Sequence, residues 1–189
     1  MQTVQFPLYP AIAQDSTHFA RWFHHRVEKP DGRIEEWGYL RVRPAVAIVA
    51  LDALANIAIV TQHRYPAGAV FTEIPKGFVR DSEDPQIAAC REMREETAHE
   101  AEHWQPLGVL AAAPGIARLA HHVFLAWGLS AVEKSQLPGD PEEPDEQLVL
   151  DWIPLEQFHQ WVRGGRIVDA VTIAAVALAL LAGPTQAAR

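Results

Sequence analysis

The sequence predicts an α/β fold, a mixed β-sheet sandwiched between α-helices, with an N-terminal β-hairpin as an extension. Three observations carry this. Continuous apolar runs at 46–51 and 57–60 have the length and composition of strands buried in a sheet, the first covered on both faces. Asp84-Pro85 marks the start of a central helix, with a capping carboxylate followed by proline at the first helical position. A second apolar helix is expected over 169–181, and strands with one central and one C-terminal helix pack as layers.

Taken in order, residues 1–18 show little periodicity, and Pro7 and Pro10 break any early element. Residues 19–27 and 34–42 are rich in aromatic and β-branched side chains around the turn signal Lys29-Pro30-Asp31-Gly32, which reads as a hairpin. After the two apolar runs, 71–74 is a short strand leading into a glycine turn and the central helix. Beyond that helix, 104–113 and 122–129 read as strands, broken at Pro114-Gly115. Residues 135–144 form a proline-rich acidic loop, 147–153 a strand, and 155–162 a short helix ended by Gly164-Gly165. No internal repeat or low-complexity linker interrupts the pattern.

The 189 residues suit one domain with ample chain for a core. With 21% charged and 49% hydrophobic residues, the composition is that of a soluble globular protein. A formal charge of −8 offers no basic field for nucleic acid. The single cysteine, Cys90, cannot form an internal disulfide and is expected to be a buried thiol. The apolar run 170–182 is too short to span a bilayer, and the N-terminus lacks a signal-peptide pattern, so a cytoplasmic location is expected.

The chemistry concentrates between residues 75 and 97. On the central helix Ile87, Ala88, Cys90 and Met93 supply an apolar stripe. Glu92, Glu95 and Glu96 fall at i, i+3 and i+4, so their carboxylates converge on one face. Like charges at that spacing repel, and hard oxygen donors so gathered suit Mg²⁺ or Mn²⁺ together with substrate phosphate oxygens. The order is Gly77, five residues, Glu83, seven residues, Arg91-Glu92-Met93, one residue, Glu95-Glu96. It closely resembles the signature of the Nudix hydrolases, which cleave a nucleoside diphosphate linked to another group. One departure follows Thr97, where Ala98 and His99 stand in place of the family's glycine and hydrophobic residue. A left-handed alanine at a helix end is strained by roughly 1 kcal/mol.

The resemblance runs on through 44–181. Gln62-His63-Arg64-Tyr65-Pro66, Glu73-Ile74-Pro75, Ala113-Pro114-Gly115, Phe124-Leu125-Ala126, Asp145-Glu146 and Asp169-Ala170-Val171-Thr172 resemble the ADP-ribose pyrophosphatase branch. The approach Pro75-Lys76-Gly77 instead resembles that of dinucleoside polyphosphate hydrolases, and the lysine amine could reach an extra phosphate. The resemblance implies that Glu92 and Glu96 hold metal, with Glu95 supporting and the Lys76 carbonyl completing a site. Arg91 is expected to orient the carboxylates, with Glu83 as its partner.

Arg64, Glu73, Pro114 and Gly115 are implied as substrate contacts. Trp37 and Trp22 could stack a base or pack structurally. The late loop carries Glu142, Glu143, Asp145 and Glu146. The resemblance implies a metal-holding role for Glu146 and a catalytic base at the place of Pro144, so the neighbouring Glu143 is expected to act as the base. Residues 1–43 are assigned to dimerisation and substrate contacts, and 44–189 to the hydrolase domain. The reading is a Mg²⁺-dependent hydrolase of a small nucleotide substrate, a homodimer without nucleic-acid or membrane partners. ADP-ribose, cleaved to AMP and ribose 5-phosphate, leads. Another nucleotide sugar, a dinucleoside polyphosphate, or a non-catalytic nucleotide sensor are the alternatives.

Overall fold

A computed structural model describes residues 12–17, 19–133 and 148–182. The strands are β1 (Ile12–Ser16), β2 (Ala20–Glu28), β3 (Ile34–Val42), β4 (Ala45–Ala50), β5 (Ile57–Arg64), β6 (Ala69–Glu73), β7 (Lys76–Phe78), β8 (His99–Ala111), β9 (Ala117–Arg118), β10 (Ala120–Ala131) and β11 (Val149–Ile153). The helices are α1 (Pro85–Thr97), α2 (Leu155–Arg163) and α3 (Ala170–Leu181).

The strand β4 reads Ala-Val-Ala-Ile-Val-Ala and is buried at every residue. Such a strand needs cover on both faces. It sits inside a sheet of order β7-β4-β10-β8, parallel to β10 from Ala45↔His121 to Ala50↔Ala126 and antiparallel to β7. On one face Val46, Ile48 and Ala50 pack with Phe124 and Ala126 against Ala88, Ala89 and Met93 of α1. The alternate residues Ala47 and Val49 are also buried, and α3 contacts this strand too. A second sheet, β11-β5-β6, is antiparallel throughout. This is the expected mixed α/β architecture.

The chain forms two units. One comprises residues 1–43 and 111–120, the other 44–110 and 121–189. The first carries the sheet β1-β2-β3-β9. Its hairpin is in the expected place: Gly32, at φ 80°, closes the turn with its N–H on the Lys29 carbonyl at 2.9 Å. Trp22 lies so close across the pair that a Cβ on Gly38 would sit 2.4 Å from the indole, so this ring covers a glycine.

The structure departs from the sequence reading at four elements. A strand, β1, forms before Phe19 and pairs antiparallel with β2, with an irregularity between Ala13 and Asp15. Residues 76–78, read as a turn, form β7 on the edge of β4. The strand after α1 starts at His99 rather than Trp104. On α1, Ile87 is exposed and Cys90 only half-buried, so the stripe expected through them shifts. The buried residues are Ala88, Ala89, Glu92, Met93, Glu96 and Thr97, a face that takes in two of the three carboxylates. No helix among the described residues is long and apolar enough to cross a membrane.

Candidate active site

The helix α1 begins as its sequence dictates, with Asp84 accepting hydrogen bonds from the Gln86 and Ile87 N–H groups and Pro85 next in line. It ends at Ala98, held at φ 54° with its N–H on the Arg94 carbonyl at 2.9 Å. The backbone adopts the left-handed stop without a glycine, and the alanine carries the strain.

Glu92 and Glu96 are buried, with 8% and 9% exposure. Arg91 organises the carboxylates around them. Its Nε and Nη2 donate to the two oxygens of Glu83 at 3.0 and 3.1 Å. Its Nη1 donates to Glu92 at 2.7 Å and to Glu95 at 2.9 Å. A further bond to the Phe78 carbonyl, 2.9 Å, ties the guanidinium to β7. Burial alone would raise the Glu83 carboxyl, but Arg91 and the Arg80 N–H hold it below the usual range. Burial would likewise lower the Arg91 pKa, and the surrounding carboxylates push it up instead.

Gly77 has a steric reason to be glycine. A Cβ there would lie 2.1 Å from the Glu92 carboxyl carbon, so the carboxylate occupies the space a side chain would take. One residue earlier, the Lys76 N–H donates to Glu96 Oε2 at 3.0 Å. The strand β7 thus supports both carboxylates.

Behind it lies a second charged cluster. Glu73, 2% exposed, accepts from Arg64 through one oxygen at 2.8 and 3.0 Å and meets Lys76 Nζ with the other at 3.1 Å. Lys76 Nζ also donates to Asp169 Oδ2 at 2.8 Å. That amine, expected to be able to reach an extra substrate phosphate, is instead engaged by two carboxylates. Asp169 caps α3 through the Thr172 N–H, 2.8 Å, and accepts the Thr172 hydroxyl at 2.7 Å. Burial would raise its carboxyl, but Lys76 and Thr172 hold it below the usual range. His121, 8% exposed, has its pKa lowered to about 4, first by burial and then by the Lys76 charge. Its Nδ1 has no partner among the described residues.

Sequence reasoning missed the part played by Asp169 and Thr172. Asp-x-x-Thr before an apolar run signals a cap, but its link to a lysine 93 residues away has no local signature.

In the other unit, Trp37 is 45% exposed and Lys29 Nζ sits 4.7 Å from its ring centroid. Pro114 and Gly115 lie in a tight turn in which the Ile116 and Ala117 N–H groups both donate to the Ala113 carbonyl, at 3.0 and 2.9 Å. Ala113 has a positive φ of 50°. Glu142, Glu143, Pro144, Asp145 and Glu146 lie outside the described residues. Among the described residues no group of three or more His, Cys, Asp or Glu side chains is arranged to hold a metal ion. The donor chemistry nevertheless fits a hard divalent cation: Glu92 and Glu96 are buried oxygen donors one turn apart, and Glu83, Glu92 and Glu95 converge on the one Arg91 guanidinium.

The family model described as NUDIX domain matches residues 41–173. The chain belongs to the Nudix family. It is a Nudix hydrolase, of a class that generally uses divalent metal ions. Among curated proteins it is 35% identical over 150 residues to a methanol dehydrogenase activator of Bacillus methanolicus, covering 79% of each chain. It is 34% identical over 174 residues to an ADP-ribose pyrophosphatase of Mycobacterium tuberculosis, covering 89% of this chain and 81% of that one. Among solved structures, an ADP compounds hydrolase superposes with a TM-score of 0.81 at 20% identity, over 96% of both chains, which shows the Nudix fold.

Proposed function

We propose that this Nudix hydrolase cleaves the diphosphate of ADP-ribose, giving AMP and ribose 5-phosphate. The observation that carries the chemistry is the pair of buried carboxylates, Glu92 and Glu96, supported by β7 at Gly77 and Lys76. The pyrophosphatase relative, alike over most of the chain, supports the substrate. Mg²⁺, with Mn²⁺ as a substitute, would be held by Glu92, Glu96 and the Lys76 carbonyl, with Glu146 as a further donor. Bound there, such an ion neutralises diphosphate charge and lowers the pKa of a water.

The chain's own groups carry the rest. Glu143 takes a proton from the attacking water as the new P–O bond forms and the bridging P–O bond breaks. Arg91 and Glu95 keep the helix carboxylates in place, consistent with the hydrogen bonds between them. Arg64, paired with Glu73 yet partly exposed, contacts the diphosphate or nucleoside. Trp37 offers an exposed ring for a base, and Pro114 and Gly115 shape the substrate loop. The enzyme is proposed to be a cytoplasmic homodimer joined through residues 1–43, acting on neither nucleic acid nor membranes.

A substrate panel tests the reading. ADP-ribose should be turned over faster than ADP-glucose, GDP-mannose and diadenosine polyphosphates, and a preference for the last overturns it. The occupied Lys76 amine weighs against that outcome.

A further inference from the structure

The three residues that lead into Gly77 are all anchored to other elements of the fold. Ile74 donates its N–H to the Thr172 hydroxyl at 3.1 Å, on the first turn of α3. The Pro75 carbonyl accepts the Ile48 N–H from β4 at 2.9 Å. Lys76 points its main-chain N–H at Glu96 and its side chain at Asp169. One oxygen of Asp169 gathers the Lys76 ammonium, the Thr172 N–H and the Thr172 hydroxyl, all at 2.7 to 2.8 Å. Residue 76 is therefore clamped between the N-terminus of α3 and a carboxylate on α1.

From this geometry we infer that Asp169 is a positioning residue for Glu96, acting through Lys76. The inference rests on the proposed role of Glu96 as a metal-holding carboxylate. Lys76 has two jobs on one residue. Its ammonium fixes where the backbone lies, and its N–H fixes where one Glu96 oxygen points. With the side chain only 12% exposed and paired on both sides, the residue has little freedom to drift. Residues that orient a metal-holding side chain typically matter almost as much as the side chain itself. Asp169 would then affect the site although it is not on the box helix and touches none of its carboxylates in the contacts described.

The test uses Asp169→Asn. Asparagine caps a helix about as well as aspartate, so α3 keeps its start while the Lys76 ammonium loses one of its two charged partners and keeps Glu73. Mn²⁺ binding to the full chain without nucleotide, followed by calorimetry, is the readout that does not depend on turnover. The expected result is a metal Kd raised about tenfold. With ADP-ribose, the fall in kcat should be recovered by raising Mn²⁺, with KM at saturating metal changed by less than about twofold. A lowered Tm with unchanged metal Kd makes Asp169 merely structural and overturns the inference. If Asp169→Asn does not fold, Lys76→Met carries the same test, with the same rise expected and an unchanged Kd overturning it. If both fold, the double variant should bind Mn²⁺ no more weakly than Lys76→Met alone, and losses that multiply show that Asp169 does not act through Lys76. Wild-type protein that binds no Mn²⁺ ends the functional reading itself, whereas wild-type binding with an unaltered variant ends only the positioning role.

Discussion

Two charged clusters meet at residue 76, and they are built on opposite rules. Around Arg91 the described acids gather: Glu83, Glu92 and Glu95 share one guanidinium, Glu96 follows Glu92 one turn on, and Arg80 reaches Glu95 at 3.9 Å. In the other cluster the signs alternate, running Arg64, Glu73, Lys76, Asp169. A buried charge needs a partner, so the alternating chain is complete in itself. In the acid-rich cluster Glu83, Glu92 and Glu95 share one guanidinium, and this is the side on which the proposed divalent cation would bind. On the proposed function, the difference separates the metal-holding side from the frame that supports it.

The largest effect should come from removing a donor on the acid-rich side. Glu96→Gln keeps the shape and loses the charge, and a lost metal contact of several kcal/mol corresponds to a fall in turnover of about 10²-fold or more. Near wild-type turnover with Mg²⁺ would show that Glu96 is not a metal donor. Next, Arg91→Met leaves buried acids without their shared cation and should lower unfolding free energy by about 3–5 kcal/mol in chemical denaturation. A loss below about 1 kcal/mol would place those pairs with ordinary surface salt bridges. Gly77→Ala forces its methyl group against the Glu92 carboxylate and should cost about 1–3 kcal/mol along with activity. Wild-type behaviour there would mean that Glu92 can sit elsewhere.

The balanced cluster has its own signature in acid. His121 is held neutral, its pKa about 4 in place of the ordinary 6.5. Between those values the unfolded chain takes up a proton that the folded chain refuses, so this contribution to stability is complete above pH 6.5 and is lost as pH falls towards 4. Melting curves for wild type and His121→Asn should differ in slope across that window, and parallel slopes would assign the acid loss to other groups. The smallest effect is at the helix end. Ala98→Gly relieves a left-handed alanine and should stabilise by roughly 0.4–1 kcal/mol, where a loss would mean that the methyl group packs usefully.

Much of the first cluster was legible because helical spacing is local. Glu92, Glu95 and Glu96 had to share a face once Asp84-Pro85 started a helix, and Glu83 lay within reach of Arg91. The capped start of α1, the hairpin around Gly32 and the doubly covered β4 were legible for the same reason. Local pattern misled where a neighbour decided the outcome. Residues 76–78 have no strand pattern of their own and become β7 because the edge of β4 accepts their backbone. Ile87 fits an apolar stripe by type, yet the core lies on the side of Ala88, Ala89 and Met93.

By itself, then, the sequence determined the spacing that puts carboxylates on one helical face, the capped start of α1, and the layered fold that apolar runs require. Tertiary structure alone decided what Lys76 does. Its side chain looked free to meet a phosphate, but folding brings Asp169 within 2.8 Å of its amine, with Glu73 on the other side. The physical reason is that helical and strand periodicities act over a few residues, whereas an ion pair depends on which distant elements pack together.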